Sequence, residues 1–264
     1  MKIAIIGTGN LGYSIAFGIL SQKKFEIENL YLTKRNTASL STWENLSNVT
    51  ISSDNKEAVR FSDIVIVAVQ PNQLHHVLEE IKEEIDVKRQ TIISVITGRK
   101  IHEIEAIIGN DTAIIRSMPN TAISVGQSMT CLSSNEKGKG KIELAKTIFN
   151  SLGKTMCIEE KLMQSATVIC ASGIAFWMRL IRATAQGAVQ LGFHADEAQE
   201  LAMQTCLGAA SLLIQSGNHP EQEIDKVTTP SGCTIEGLNE MEHQGLSSSI
   251  IKGLVTSFEK INQI

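Results

Sequence analysis

Over roughly the first 158 residues, short and nearly continuous apolar runs alternate with amphipathic stretches. The runs Ile3–Ile6, Leu30–Leu32, Ile64–Val69, Ile92–Val95 and Ala113–Ile115 are rich in β-branched residues. An apolar run with little polar alternation suits a strand covered on both faces, as in a parallel sheet. Between runs, residues 72–85 place Leu74, Val77, Leu78, Ile81 and Ile85 at helical spacing. Strand–helix–strand alternation predicts an α/β domain, a doubly wound sheet of Rossmann type. After Glu159-Glu160 no strand-like run recurs, and helical stretches are expected at about 161–190, 195–216 and 246–261, with shorter ones between. Residues 196–214, with small residues at Ala198, Ala202, Ala209 and Ala210, form a helix apolar over most of its circumference, which needs partners that a small domain does not supply. The expected architecture is a Rossmann domain over 1–160, then an all-α domain over 161–264 that dimerises and carries substrate-binding residues.

The 264 residues suffice for two domains, and 42% hydrophobic with 20% charged residues is globular composition. A net charge of −4 without a basic run points away from nucleic acid and anionic membranes. The five cysteines (Cys131, Cys157, Cys170, Cys206 and Cys233) contain no CxxC pair, so neither a disulfide framework nor a metal site is expected. The apolar run near the N-terminus, Ile3–Ile6, is too short for a signal peptide, and no run approaches the ~18 residues of a membrane span. These features predict a soluble cytoplasmic protein with a small-molecule partner, no nucleic acid and no membrane.

The first chemical signal is Gly7-Thr8-Gly9-Asn10-Leu11-Gly12, a GxGxxG sequence between the first strand and an apolar-periodic helix. Gly7 permits a tight turn, Gly9 lets the backbone approach a pyrophosphate, and Gly12 allows close helix–strand packing. The helix start offers unpaired N–H groups to phosphates. A domain that prefers NAD usually carries an acid at the end of its second strand for the ribose 2′-hydroxyl. Here that point reads Leu32-Thr33-Lys34-Arg35-Asn36, with cations in place of the acid, so NADP(H) is expected over NAD(H), which remains usable. Ala68-Val69-Gln70-Pro71, Thr97-Gly98 and Arg116-Ser117-Met118-Pro119-Asn120-Thr121 follow later strands, where sheet ligands bind. Each reads equally as pocket lining or as loop punctuation.

Farther on, Thr228-Thr229-Pro230-Ser231-Gly232-Cys233-Thr234 precedes a helical run through Leu238 and Met241. It reads either as an anion nest suited to a small carboxylate or as a hydroxyl-rich helix cap. The six histidines show neither triad nor metal spacing, and no histidine base is placed near Cys233.

Taken in order, GTGNLG, AVQP at Ala68–Pro71, RSMPNT at Arg116–Thr121, ASGIAF at Ala171–Phe176 and TTPSGCTIEGL at Thr228–Leu238 resemble the pyrroline-5-carboxylate reductase family over essentially the whole chain. The resemblance implies NAD(P)H-dependent reduction of a cyclic imine to L-proline, a helical dimerisation domain, and larger rings built from dimers. It implies that the loop matching Ser231–Thr234 holds the substrate carboxylate, with Thr229, Met118 and Asn120 also lining the substrate and Thr234 near the ring nitrogen as the catalytic candidate. It assigns Asn55 and Ala68–Pro71 to the cofactor. Departures from the family's usual pattern fall at Cys170, Ala171, Ile174, Gln70 and Ser231, the last in place of a glycine. They leave two alternatives: an accessory relative that binds cofactor without turnover, or a reductase of a related cyclic imine. A 3-hydroxyacid dehydrogenase would carry a lysine on the long central helix, where this chain has only Arg179 and Arg182.

Overall fold

The computed structural model describes residues 1–22 and 25–261. Its first part runs β1 (Lys2–Ile6), α1 (Asn10–Gln22), β2 (Asn29–Thr33), β3 (Val49–Ser52), α2 (Asn55–Arg60), β4 (Ile64–Val67), α3 (Leu74–Ile81), β5 (Thr91–Ser94), α4 (Ile101–Ile108), β6 (Ala113–Met118), β7 (Ser128–Ser134), α5 (Glu136–Lys139), α6 (Ile142–Asn150) and β8 (Gly153–Cys157). Among the described residues these strands make one sheet of order β3-β2-β1-β4-β5-β6-β7-β8. All neighbours are parallel except β6 and β7. The chain winds outward from β1 in both directions, so the topological switch lies between β1 and β4, where ligands of such sheets bind.

The apolar runs are continuous because both faces are covered. Ile3 and Ile5 of β1 and Ile64 and Ile66 of β4 join one core with Ile15, Ile19, Leu32 and Phe149. Their alternates Ile6, Val65 and Val67 join the opposite core with Leu74, Leu78, Ile81 and Ile104. Burying each such side chain contributes about 1.5–3 kcal/mol.

Hydrophobic runs did not reveal β3, β7 and β8. β7 reads SMTCLSS, and it is mostly buried even though it is half hydroxyls. Ser128 Oγ pairs with Thr130 Oγ1 at 3.0 Å and accepts the Asn120 N–H at 3.1 Å, so pairing with β6 and β8 makes the strand rather than apolar patterning. The remaining elements are α7 (Met163–Ala166), a π-helix at Thr167–Ser172, α8 (Gly173–Gln190), α9 (Ala195–Ser216), α10 (Pro220–Val227), α11 (Cys233–His243) and α12 (Leu246–Ile261). The expected C-terminal helices and the helix through Leu238 and Met241 are all present.

Two compact units emerge, Met1–Ser172 and Gly173–Glu259. The first therefore extends past residue 160, the boundary read from the sequence, because Met163 and Ala166 pack against Met118 and Cys131 of the sheet. In the second unit α8 and α9 meet along a seam of Ala185, Ala198 and Ala202. Large apolar side chains stay outside it: Trp177 is 61% exposed, Leu207 60% and Ile214 79%. A helical unit whose own core is an alanine seam leaves many large apolar side chains uncovered. The helical stretch Glu160–Gln190 also satisfies the length and apolarity of a membrane span, which run length had hidden because its apolar residues are interleaved with Ser, Thr and Gly.

Candidate active site

At the switch point, Gly7 adopts φ +89° and its N–H, like that of Thr8, donates to the Thr33 carbonyl at 3.2 and 2.9 Å. A Cβ on Gly7 would lie 2.5 Å from Val69 Cγ1, so the glycine loop and the Ala68–Pro71 segment are packed directly together. A Cβ on Gly12 would meet the Gly7 carbonyl oxygen at 2.5 Å and Ile5 Cγ2 at 3.2 Å, which is the close helix–strand approach expected of it. Gly9 is different. It is exposed, and nothing of the protein lies within 4 Å of its Cβ position. Its missing side chain therefore serves something outside the fold. The N–H groups of Asn10, Leu11 and Gly12 have no acceptor among the described residues, and α1 carries no acid in its first turn. Thr8 Oγ1 is fully buried and also lacks a partner. Open backbone donors, an uncrowded Gly9 and no competing carboxylate fit a bound pyrophosphate.

The end of β2 divides in two. Thr33 is buried and its Oγ1 donates to Asn55 Oδ1 at 2.7 Å, while Asn55 Nδ2 donates to Glu80 Oε2 at 3.1 Å. Thr33 thus holds the glycine loop through its carbonyl, and Asn55 stands at the start of α2 in the same network. Lys34 and Arg35 face outward. Lys34 Nζ donates to Ser39 Oγ at 2.7 Å, and neither cation pairs with a carboxylate among the described residues. Beyond the neighbouring strands, Gln70 is exposed and its N–H donates to Gln73 Oε1, with Pro71 opening a short 3-10 turn. Thr97 is exposed, although its hydroxyl reaches Met118 Sδ at 3.9 Å, and Gly98 has φ +78° with open space at its Cβ position.

Met118 and Asn120 are buried. Asn120 Oδ1 accepts the Ala122 N–H, and its Nδ2 donates to the Cys170 carbonyl at 2.9 Å. The side chain caps the 3-10 turn Thr121–Val125 and ties it to the π-helix. Preceding it, Arg116 is 4% exposed and bonds Glu160 Oε1 at 2.9 Å, the same oxygen that accepts the Ile101 N–H. Sequence patterning did not signal Glu80 and Glu160, because their partners lie far away in the chain.

In the second unit, α11 begins after Gly232 with no side-chain capping bond. Gly232 N–H donates to the Thr229 carbonyl at 2.9 Å. The N–H groups of Ser231, Cys233, Thr234 and Ile235 have no acceptor among the described residues, and Glu236 N–H is the first to return to the turn, at Gly232 O. The hydroxyls of Thr229, Ser231 and Thr234 are therefore not engaged in capping this helix, which removes the simple-cap reading of the motif. Ser231 has φ +59° and is the one non-glycine residue at positive φ among those described. Cys233 is exposed and unbridged.

A Rossmann-ordered sheet with an open glycine loop at its switch point defines the class: a protein built on a dinucleotide-binding domain. Residues 2–98 match the family described as NADP oxidoreductase, coenzyme F420-dependent, and residues 160–264 match pyrroline-5-carboxylate reductase dimerisation. Pyrroline-5-carboxylate reductase 2 of Dictyostelium discoideum is 42% identical over 98% of this chain and 91% of its own length. Pyrroline-5-carboxylate reductase 1 of the same organism is 47% identical over 98% of this chain, which spans about half (49%) of that longer protein. The crystal structure of Plasmodium falciparum pyrroline carboxylate reductase with NADP bound superposes with a TM-score of 0.87 at 27% identity, covering 99% of this chain and 97% of that one. The chain belongs to the pyrroline-5-carboxylate reductase family.

Proposed function

We propose that the protein reduces 1-pyrroline-5-carboxylate to L-proline with a nicotinamide nucleotide, and that it works as a homodimer. The observation that carries this reading is the uncapped start of α11 within Thr228–Leu238, a set of unused backbone donors in the family's substrate motif. A bound NAD(P)H supplies the hydride. The glycine loop and the first turn of α1 hold its pyrophosphate, and Asn55, Ala68–Pro71 and Thr97-Gly98 border it. Lys34 and Arg35 favour a 2′-phosphate, so NADPH is the preferred form and NADH a weaker one.

The protein needs little acid–base chemistry of its own, because the protonated imine is already electrophilic. Its task is to fix the carboxylate through the backbone N–H groups of Ser231, Cys233 and Thr234, with Gly232, whose own N–H is held by the Thr229 carbonyl, shaping the turn, and to orient the ring. Thr234, half-buried in the first turn of α11, hydrogen-bonds the ring nitrogen or the carboxylate through its hydroxyl. Cys233 contributes its N–H, not its thiol. The exposed apolar surface of Gly173–Glu259 is the dimer contact, with larger rings as a further assembly, and this gives the apolar stretch of Glu160–Gln190 a protein partner rather than a lipid one. Unbridged cysteines suit a reducing compartment, the cytoplasm.

The test is NADPH oxidation with pyrroline-5-carboxylate beside a panel of 3-oxo acids. Oxidation that depends on the imine supports the assignment. NADPH binding without turnover would leave the accessory role instead. Thr234→Ala should lose about 1–3 kcal/mol of transition-state binding, roughly 5- to 150-fold in kcat/KM.

A further inference from the structure

Two cysteines outside the chemistry above are packed together. Cys131 lies on β7, 3% exposed, beside Met118, Met163 and Ala166, and Cys170 of the π-helix packs against the same cluster. They are 39 residues apart in sequence, and among the described residues they are the cysteines that share a cluster. Both anchor points are already fixed. Cys131 is opposite Met118 in the β6–β7 register, and the Cys170 carbonyl accepts Asn120 Nδ2 at 2.9 Å. A covalent link would join β7 to the π-helix, whose Cys170 carbonyl is already tied to Asn120 just beyond β6, the strand that β7 pairs with.

We propose that Cys131 and Cys170 are a reversible oxidation site, closing to a disulfide under a peroxide. The two thiols play unequal parts. Cys131 is 3% exposed and burial holds its thiol protonated, whereas Cys170 is partly exposed and the neighbouring Cys131 thiol lowers its pKa, so Cys170 is the one to ionise first. Cys170, partly exposed, attacks the peroxide oxygen. It becomes a sulfenic acid, and the departing hydroxide takes up a proton to leave as water. Cys131 then attacks that sulfur; the S–S bond forms, the S–O bond breaks, and the thiol proton leaves with the hydroxyl as a second water. In sum, two thiols give up two electrons and two protons, and the peroxide is reduced to two waters. Cys157, Cys206 and Cys233 share no such cluster and should stay as thiols.

The experiment treats the purified full-length protein with one equivalent of hydrogen peroxide, blocks remaining thiols with N-ethylmaleimide, and maps peptides without reduction. The expected result is loss of two of the five thiols, a linked peptide pair containing Cys131 and Cys170, and full recovery with dithiothreitol. Five intact thiols, a bridge to any other cysteine, or sulfinic acid on Cys170 with Cys131 still alkylated would overturn the proposal. In Cys131→Ser, Cys170 should stop at a dimedone-reactive sulfenic acid with one equivalent of peroxide and reach sulfinic acid only with a second, for want of a resolving thiol; the wild-type map stands by itself should that variant not fold. None of these readouts depends on imine turnover, so the disulfide and the enzymatic assignment can fail separately.

Discussion

Gly7 and Val69 meet across the switch point of the sheet, where a Cβ on the glycine would come within 2.5 Å of Val69 Cγ1. The relationship separates two kinds of glycine in one motif. Gly7 is empty for the protein's sake and Gly9 for the ligand's. Gly7→Ala should cost roughly 2–4 kcal/mol in stability, from its positive φ and the overlap with Val69. Gly9→Ala should unfold at the parental temperature, yet bind NADPH at least ~10-fold more weakly, a change of about 1.4 kcal/mol. Thermal melts and nucleotide titrations on the two variants read this directly; equal melting points would defeat the distinction.

The cations after β2 should govern cofactor choice. Arg35→Ala is expected to weaken NADPH binding by about 1–2 kcal/mol, roughly 5- to 30-fold, and to leave NADH unchanged. Lys34→Ala should act the same way more weakly, since Lys34 Nζ is already held by Ser39. The ratio of kcat/KM for NADPH to that for NADH measures it.

Ser231 holds a left-handed turn at φ +59° beside the unpaired donors of α11. On the proposed reading, in which backbone N–H groups hold the carboxylate, Ser231→Gly should keep imine reduction within a few-fold. A β-branched residue fits this region of backbone space poorly, so Ser231→Val should raise KM for the imine by ~10-fold or more. Indistinguishable KM values would show that the turn is not where the carboxylate sits.

Glu160 answers a buried charge. Glu160→Ala would leave Arg116, 4% exposed, without its partner and free the Ile101 N–H, at a cost of about 3 kcal/mol. Glu160→Gln, which can still accept both bonds, should recover about half of that. Urea unfolding of the two variants gives the comparison.

Sedimentation at micromolar concentration should give a mass of at least twice the 28.7 kDa of one chain. Leu207→Asp combined with Ile214→Asp should shift the protein toward monomer, because both side chains are mostly exposed in the single chain.

Local regularity made much of the protein legible from its sequence. The continuous runs of β1, β4 and β5, the glycine loop, the cations at Lys34 and Arg35, and the helices of the second unit are short-range patterns, each set by residues a few positions apart. The change of pattern near residue 160 likewise announced a helical half, and the surplus of apolar residues along α9 fits the dimerisation family that residues 160–264 match. Contacts between distant residues decided the rest. β7 is a strand because β6 and β8 pair with it. Met118 and Asn120 are buried because the π-helix closes over them. Glu160 matters because Arg116 lies beneath it, Ser231 adopts a glycine's backbone because the turn into α11 demands it, and Cys131 finds Cys170 across 39 positions. Periodicity records which face a residue presents; only the packed chain determines what that face meets.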